Sequence, residues 1–273
     1  MNRTFARVFS IYAFAYALLF ASQPLDDGDF WYHLKTGQYI LEQRTIPRTD
    51  IFSVTYYGKP WVTHEWLSEV IFFLGYSWFG YASLILLFTV ITVLAFWVVT
   101  RRLNSHPFIL GVGVLLGVWS IMPTLGVRPR AFTLLFAAIY LVLLDNFVRE
   151  RKQSAIWLAI PLMIVWVNLH GGFLIGLVLI AATIVGLALD KWIEKKSLRE
   201  VWPRLRNLSL VLVGSAVAAL LNPLGWRIYL YPFEIFFSPV LQQTINDWVS
   251  PDFHQPELLP LAALILLTIA VLA

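Results

Sequence analysis

Long apolar stretches recur along the chain and are separated by short segments that carry charge, proline or glycine. A transmembrane helix needs about 20 mostly apolar residues to cross a hydrocarbon core of roughly 30 Å. Eight stretches approach this length, and they occupy residues 5–21, 80–100, 107–122, 131–147, 155–169, 173–189, 208–221 and 258–273. The pattern therefore predicts an all-α integral membrane protein, a polytopic helix bundle of about eight spans.

The last apolar stretch, residues 258–273, ends without a flanking charge or anchor. As a helix it would extend over about 24 Å at 1.5 Å per residue, which is short for a span. We therefore expect the last span to be truncated. The single polytopic domain that occupies residues 1–273 is then expected to continue beyond residue 273.

Composition supports a membrane protein. The chain is 59% hydrophobic and 13% charged, and its mean hydropathy is +0.73. Because a soluble domain carries about twice that charged fraction, these values exclude an ordinary cytosolic enzyme, a disordered chain and a protein that binds nucleic acid. The sequence contains no Cys, which excludes disulfides, thiolate metal sites and Cys nucleophiles.

The placement of charge predicts the orientation. With the N-terminus in the cytoplasm, the inside segments hold thirteen of the 20 Lys and Arg residues and five of the 16 Asp and Glu residues, a net charge of +8 that leaves −4 outside. This bias follows the positive-inside rule. Arg3 and Arg7 before an apolar stretch also fit a cleaved signal peptide, but Phe20, Ala21 and Ser22 form a poor cleavage site, which favours a retained first span.

The predicted spans place the polar segments on the extracytoplasmic side. These segments are residues 22–79, 123–130, 170–172 and 222–257. In the first of them, the apolar pattern predicts two interfacial helices joined by an extended piece at residues 46–56. We therefore expect the chemistry of the protein on this face.

A first polar cluster directly follows the first span and contains Asp26, Asp27, Asp29 and His33. Carboxylates beside hydrocarbon are costly unless a cation or a shared proton compensates them. If the chain is helical from Asp29, then Asp29 and His33 share a face at i and i+4. That geometry suits a divalent metal held by Asp27, Asp29 and His33, or a carboxylate that orients a base. The alternative is an interfacial helix with Asp27 or Asp29 as its N-cap.

A second cluster closes the same loop with His64, Glu65 and Glu69. It resembles the zinc-protease pattern H-E-x-x-H, but Ser68 occupies the position of the second His, so a metalloprotease is excluded. We expect His64 and Glu65 to begin the second interfacial helix and to face the aspartates.

Two outer turns add further candidates. Arg128 and Arg130 stand at a helix entrance, where they would bind a phosphate or pyrophosphate, or simply extend towards lipid headgroups. Asn168 and His170 lie beside a Gly-Gly turn between two spans. Polar residues at this depth are functional candidates by default, and a capped re-entrant turn is the alternative.

The last outer loop contributes Asn222 and Asp247. Asp247, next to Trp248, would complete a carboxylate site or help to stack a sugar ring. A turn formed by Asn246 and Asp247 is the alternative.

Motifs over nearly the whole chain carry a resemblance to a known group of proteins. They are the pattern Asp27-x-Asp29-x-Trp31-x-His33-Leu34 with the residues up to 37, residues 46–53, residues 59–67, Arg128-Pro129-Arg130, residues 168–172, residues 222–225 and Asp247-Trp248. As a set they resemble a group of bacterial inner-membrane proteins that are regarded as relatives of the polytopic GT-C glycosyltransferases. That class includes the protein mannosyltransferases and the lipid A aminoarabinose transferases.

The resemblance implies a glycosyltransferase that moves a sugar from a polyprenyl-phosphate carrier to a glycan, lipid or protein acceptor at the extracytoplasmic face of the bacterial inner membrane. It implies an acidic general base in the first outer loop, at Asp27 or Asp29, and phosphate stabilisation by Arg128 and Arg130. The expected catalytic set is Asp27, Asp29, His33, His64 and Glu65. The chain has D-x-D where better-known members often have an adjacent Asp-Glu pair, which leaves a divalent ion, Mg or Mn, open.

Two other functions fit the same pattern. A transporter or flippase of a polar lipid would carry charge and discontinuous helices at mid-depth, whereas here the polar residues lie at the outer ends of the spans. A non-catalytic subunit of an envelope assembly complex is the second alternative.

Overall fold

The computed structural model describes residues 3–25, 27–103, 105–238 and 251–272. Within these residues the chain is helical, and its extended backbone pairs only at an isolated bridge between Thr49 and Pro60. The helices are α1 (Arg3–Ala21), α2 (Phe30–Gln43), α3 (Trp66–Arg102), α4 (Pro107–Ser120), α5 (Arg130–Val148), α6 (Ala159–Leu169), α7 (Leu174–Ile193), α8 (Trp202–Ala219), α9 (Tyr231–Phe236) and α10 (Leu259–Leu272). The all-α prediction is confirmed for this part of the chain.

Four helical segments are long and apolar enough to cross a membrane, namely Arg3–Ala21, Trp66–Arg102, Arg130–Val148 and Gly171–Ile193. The remaining predicted spans are helical but shorter or more polar. Helix α4 has 14 residues, or about 21 Å, and α8 carries Arg204 and Arg206 in its first turns. The structure therefore supports a helical membrane protein with four helices of spanning length among the described residues.

Helix α3 is interrupted at Gly80, where the predicted second span begins. Gly80 has φ 68° and ψ −155°, a conformation that glycine adopts at little cost because it has no Cβ. The hydroxyl of Ser83 donates to the carbonyl oxygens of Gly75 (2.6 Å) and Gly80 (2.8 Å), and these bonds satisfy acceptors at the break. The break separates residues 66–79, where the chain contributes to a polar site, from the apolar remainder of α3.

Helix α2 packs against the first part of α3 at very short range. A Cβ added to Gly37 would lie 1.9 Å from the carbonyl oxygen of Glu69, so only glycine permits this approach. Before α3, residues 46–56 are less extended than predicted, because Asp50 closes a turn. Its carboxylate accepts from the backbone N–H groups of Phe52 (2.8 Å) and Ser53 (2.9 Å).

The apolar core lies between α3, α5, α6, α7 and α8 and is centred on large aromatic side chains. Trp166 stacks on Phe136 at 5.5 Å and meets Tyr140 edge to face at 5.2 Å. A second, smaller core joins α1 to α4 through Ala13, Ala17 and neighbouring apolar side chains. Small residues at such contacts let membrane helices approach closely.

The course of the chain gives the bundle two chemically distinct ends. At one end, Arg102 pairs with Asp145 (3.3 Å) and Arg204 pairs with Glu150 (2.9 Å), so ion pairs connect the basic turns. The segment after α1 and the turns before α5 and α7 meet at the other end. The polar cavity lies there.

Candidate functional site

A cavity of about 700 Å³ lies where segments distant in sequence converge. The turn before α2, α2 itself, the start of α3, the entrances of α5 and α7, and α9 all contribute to its wall. Its polar and aromatic lining consists of Asp27, Asp29, Tyr32, His33, Trp61, His64, Glu65, Glu69, Arg128, Arg130, His170 and Tyr231. Nine residues singled out from the sequence thus share one cavity, namely Asp27, Asp29, His33, His64, Glu65, Glu69, Arg128, Arg130 and His170.

Asp27 is engaged by an arginine about a hundred positions away. The Oδ2 atom of Asp27 lies 2.7 Å from Nε of Arg128, and both side chains are largely buried. The Oδ1 atom of Asp27 accepts from the backbone N–H of Asp29 at 3.0 Å and so shapes the turn into α2. Asp27 therefore orients Arg128 and the helix entrance, and its carboxylate is less available as a base.

Asp29 occupies the N-cap position of α2 but makes no side-chain capping hydrogen bond. Its side chain is exposed and lines the cavity. The backbone N–H of His33 donates to the carbonyl oxygen of Asp29 at 3.2 Å, which is the expected i, i+4 relation, while the imidazole of His33 faces Glu69. Asp29 is therefore the carboxylate that the structure leaves accessible at the cavity mouth.

His33 and Glu69 form a buried pair between α2 and α3. Nδ1 of His33 lies 3.6 Å from Oε1 of Glu69, and the two residues are 5% and 2% exposed. Neither Nδ1 of His33 nor Oε2 of Glu69 has a hydrogen-bond partner among the described residues. The close approach at Gly37 fixes this pair, because Gly37 contacts the main chain of Glu69 itself.

His64 and Glu65 form a second acid–imidazole pair at the start of α3. Nε2 of His64 lies 2.7 Å from Oε1 of Glu65. Burial opposes ionisation of Glu65, but the adjacent His64, with smaller contributions from His170 and His33, lowers the pKa of Glu65 to about 2. Glu65 is thus a stable carboxylate that holds His64 in place.

His170 caps the turn into α7. Its Nδ1 atom accepts from the backbone N–H of Gly172 (3.0 Å) and lies 2.8 Å from the hydroxyl of Thr133, which itself accepts from the indole of Trp166 (3.0 Å). With Nδ1 acting as acceptor, the imidazole proton is assigned to Nε2. Burial lowers the pKa of His170, and the nearby Arg130 and His64 act in the same direction against the attraction of Glu65. His170 is therefore neutral. The turn that it caps corresponds to the capped re-entrant turn given above as the alternative to a functional role.

Asn168 and Asn222 lie behind the cavity and hold its wall together. Nδ2 of Asn222 donates to the backbone oxygens of His64 (2.9 Å) and Val167 (3.0 Å) and contacts Oδ1 of Asn168 at 3.2 Å. Oδ1 of Asn168 also accepts from the indole of Trp66 at 2.6 Å. These two amides are therefore structural supports of the segment that carries His64.

The proposed metal ligands do not form a common set. Asp27 is paired with Arg128, whereas His33 faces Glu69 on a different part of the wall. Among the residues that the structure describes, no group of three or more His, Asp or Glu side chains is arranged to hold a metal ion. Asp27, Asp29 and His33 are thus not gathered into one ligand set in the structure, and a divalent ion at this site stays a prediction. Asp26 and Asp247 lie outside the described residues.

Three aromatic residues also line the cavity, namely Tyr32, Trp61 and Tyr231. Tyr32 and Trp61 lie within the motifs quoted above, but none of the three was predicted as a site residue. Burial, with the carboxylates of Glu65 and Glu234, raises the pKa of Tyr231 to about 12, so this phenol stays protonated. Its ring lies 4.7 Å from that of His64. The abundance of aromatic residues in the chain hides such positions, because interfacial anchors have the same composition.

Comparison with known proteins identifies no relative, since no family model, curated protein or solved structure matches the chain. The resemblance to the GT-C glycosyltransferases therefore stays a prediction from the motifs quoted above.

Proposed function

We propose that the chain is a glycosyltransferase of the bacterial inner membrane that takes a sugar from a polyprenyl-phosphate carrier and acts at the extracytoplasmic face. The observation that carries this proposal is the convergence of an accessible carboxylate, Asp29, and two guanidinium groups, Arg128 and Arg130, on one cavity of about 700 Å³. The transfer needs a base for the acceptor and cations for the leaving phosphate.

The proposed topology has about eight spans and a cytoplasmic N-terminus. The four helices of spanning length account for half of them, and the shorter apolar helices Pro107–Ser120, Gln153–Leu169 and Pro256–Val271 together with α8 account for the rest. Because basic residues cluster in the turns at the opposite end of the bundle, the positive-inside rule puts the cavity outside the cytoplasm. The donor lipid, which is itself membrane-bound, reaches such a cavity from the bilayer.

In the proposed reaction, Asp29 takes the proton of the acceptor hydroxyl. The acceptor oxygen forms a bond to the anomeric carbon of the sugar, and the bond between that carbon and the phosphate oxygen breaks. The electron pair leaves with the polyprenyl phosphate, whose negative charge Arg128 and Arg130 stabilise. Asp29 suits the role of base better than Glu65, because His64 holds Glu65 as a carboxylate with a pKa of about 2. A base of such low pKa has little affinity for a proton.

The other residues of the wall have supporting roles in this proposal. Asp27 holds the guanidinium of Arg128 at 2.7 Å and keeps it turned into the site. Glu65 orients His64, and neutral His170 presents Nε2–H as a hydrogen-bond donor. The proposed steps need no divalent ion, because Asp29 supplies the base and Arg128 and Arg130 supply the positive charge.

The test is the release of polyprenyl phosphate by the full chain in lipid nanodiscs. Candidate donors are polyprenyl phosphates that carry different hexoses or pentoses, supplied with a membrane extract as source of acceptors. We expect Asp29→Asn to lower release at least 100-fold, since general base catalysis contributes about 10²- to 10⁴-fold. Asp190→Asn is the matched control, because it makes the same exchange at an exposed position far from the cavity.

Both variants are first compared with the unmodified protein by thermal unfolding. An Asp29→Asn variant that folds and still releases polyprenyl phosphate at the original rate would remove Asp29 as the base. A protein that releases none from any donor, but moves the lipid between leaflets, would favour the flippase alternative.

A further inference from the structure

Three buried polar atoms along one wall of the cavity have no hydrogen-bond partner among the described residues. They are Nδ1 of His33, Oε2 of Glu69 and the indole Nε1 of Trp61. All three residues line the cavity. His33 and Glu69 are more than nine-tenths buried, so the bulk solvent does not reach these side chains freely.

These atoms belong to one continuous surface, which we call the Trp61 wall and define as Tyr32, His33, Trp61 and Glu69. The ring of Trp61 meets that of Tyr32 edge to face at 5.9 Å, and the ring of Tyr32 lies 4.1 Å from that of His33. His33 in turn faces Glu69 at 3.6 Å. The Trp61 wall therefore presents polar atoms set among aromatic rings.

The energetics of burial indicate that this wall is completed by a ligand. Each buried donor or acceptor without a partner costs about 1–3 kcal/mol, and native proteins leave few of them. Ligand sites have the same construction, since an aromatic lining with a small number of placed polar groups is their usual composition. The polar atoms are thus expected to bond to a molecule that enters the cavity.

The chemistry of the atoms selects the ligand. Trp61 only donates, and the carboxylate of Glu69 only accepts, so the partner needs groups that both accept and donate. A hydroxyl does both, whereas an ammonium group has no lone pair for the indole N–H. A phosphate would be repelled by Glu69. The Trp61 wall therefore matches the hydroxyl groups of a neutral sugar ring and not the phosphate of the carrier.

We propose that the Trp61 wall binds the hydroxyl groups of the transferred sugar in the donor lipid, while Arg128 and Arg130 hold its phosphate. This inference rests on the proposed function and adds the substrate class, a neutral sugar with free hydroxyls. In this arrangement one part of the cavity, the Trp61 wall, binds the sugar, and another part, at Arg128 and Arg130, binds the phosphate.

The test compares the affinity of two probes for the full chain in nanodiscs. One probe is polyprenyl phosphate without a sugar, and the other is the same lipid with a neutral hexose, chosen from glucose, mannose and galactose. Trp61→Phe removes the indole N–H and keeps a ring, and Glu69→Gln removes the charge and keeps the size. We expect each variant to bind the sugar lipid about tenfold more weakly and the bare lipid within twofold of the original affinity, as the loss of one well-placed hydrogen bond predicts.

Two matched controls are available. Trp157→Phe makes the same exchange near the opposite end of the bundle, and Glu42→Gln makes it on the exposed face of α2. Both controls are expected to bind the two probes like the unmodified protein. A methyl glycoside of the same sugar serves as a third probe, which represents a soluble sugar acceptor.

The outcomes separate the inference from the proposed function. Undiminished binding of the sugar lipid by Trp61→Phe and Glu69→Gln, or equal weakening of both lipids, overturns the Trp61 wall as a sugar site and leaves the transferase proposal intact. A loss confined to the methyl glycoside overturns the assignment to the donor. An unmodified protein that binds neither lipid overturns both proposals.

Discussion

Replacing Asn222 by Ala removes the amide that connects three segments behind the cavity. Asn222 is 3% exposed. Its Nδ2 atom donates to the backbone oxygens of His64 and Val167, and its Oδ1 atom accepts from the backbone N–H of Leu224 at 3.0 Å. Alanine makes none of these bonds, and it leaves the two carbonyl oxygens without this donor.

The expected loss of stability follows from these bonds. A buried group whose partner is deleted costs about 1–3 kcal/mol in soluble proteins, whereas hydrogen bonds inside membranes average about 0.6 kcal/mol. The hydrogen bonds of Asn222 lie at the end of the bundle and not at mid-depth, so the values for soluble proteins apply. The two carbonyl oxygens that lose their donor should lower the free energy of unfolding by about 2–4 kcal/mol. The same substitution should displace His64 and weaken its contact with Glu65.

The assay is unfolding of the purified protein by SDS in mixed micelles, followed by tryptophan fluorescence. Asn207→Ala is the matched control, because Asn207 lies on neighbouring α8 and makes no side-chain hydrogen bond within the described residues. We expect that control to stay within about 0.5 kcal/mol of the original protein. A loss below about 0.5 kcal/mol for Asn222→Ala would refute the supporting role of this amide.

A double-mutant cycle with Asn168→Ala tests the network itself. Asn168 and Asn222 are in contact at 3.2 Å and share the segment that carries His64. Residues in one hydrogen-bond network show coupling energies of about 0.5–3 kcal/mol. Additive losses would show that the two amides act independently.

Two further predictions concern acid stability and helix packing. Because the pKa of Glu65 falls from its ordinary 4.5 to about 2 in the folded protein, its ionisation stabilises the fold above pH 4.5, and that contribution is lost as the pH falls towards 2. The thermal unfolding temperature should therefore decline less steeply between pH 6 and pH 3 for Glu65→Gln than for the unmodified protein. Parallel curves of unfolding temperature against pH would contradict the low pKa. Gly37→Ala should destabilise the protein by about 1–3 kcal/mol, because its Cβ would overlap the carbonyl of Glu69. Gly113→Ala, whose Cβ meets open space in α4, should be neutral or slightly stabilising in the same unfolding assay, and equal effects of the two exchanges would contradict the close packing of α2 on α3.

Much of the helical framework was predictable, because apolar runs bounded by charge or glycine set the helix limits. Helix α1 extends over Arg3–Ala21 where residues 5–21 were expected, and α5 extends over Arg130–Val148 where residues 131–147 were expected. The break at Gly80 coincides with the predicted start of the second span. The number of spans was harder to predict, because α4 and α6 are short and α8 begins with basic residues.

The convergence of the polar clusters was predictable, whereas the pairing within the cavity was not. Alternating spans bring the outer turns to one end, which requires only their order along the chain. The choice of Arg128 as partner for Asp27, and of Glu69 for His33, depends on how the helices pack in three dimensions. The supporting role of Asn222 could not be predicted either, because its amide donates to backbone oxygens, which every residue possesses and no sequence pattern distinguishes.

The attachment of His64 through its main chain has a consequence for how the cavity would change by mutation. The bond from Asn222 ends on the carbonyl oxygen, so it fixes the course of the segment whatever side chain stands at position 64. Under the proposed function, a new residue at position 64 would alter the surface that meets the substrate and leave the backbone path in place. Variation at position 64 with Asn222 retained is thus a route by which a family of such proteins, or an engineer, could change substrate range on an unaltered scaffold.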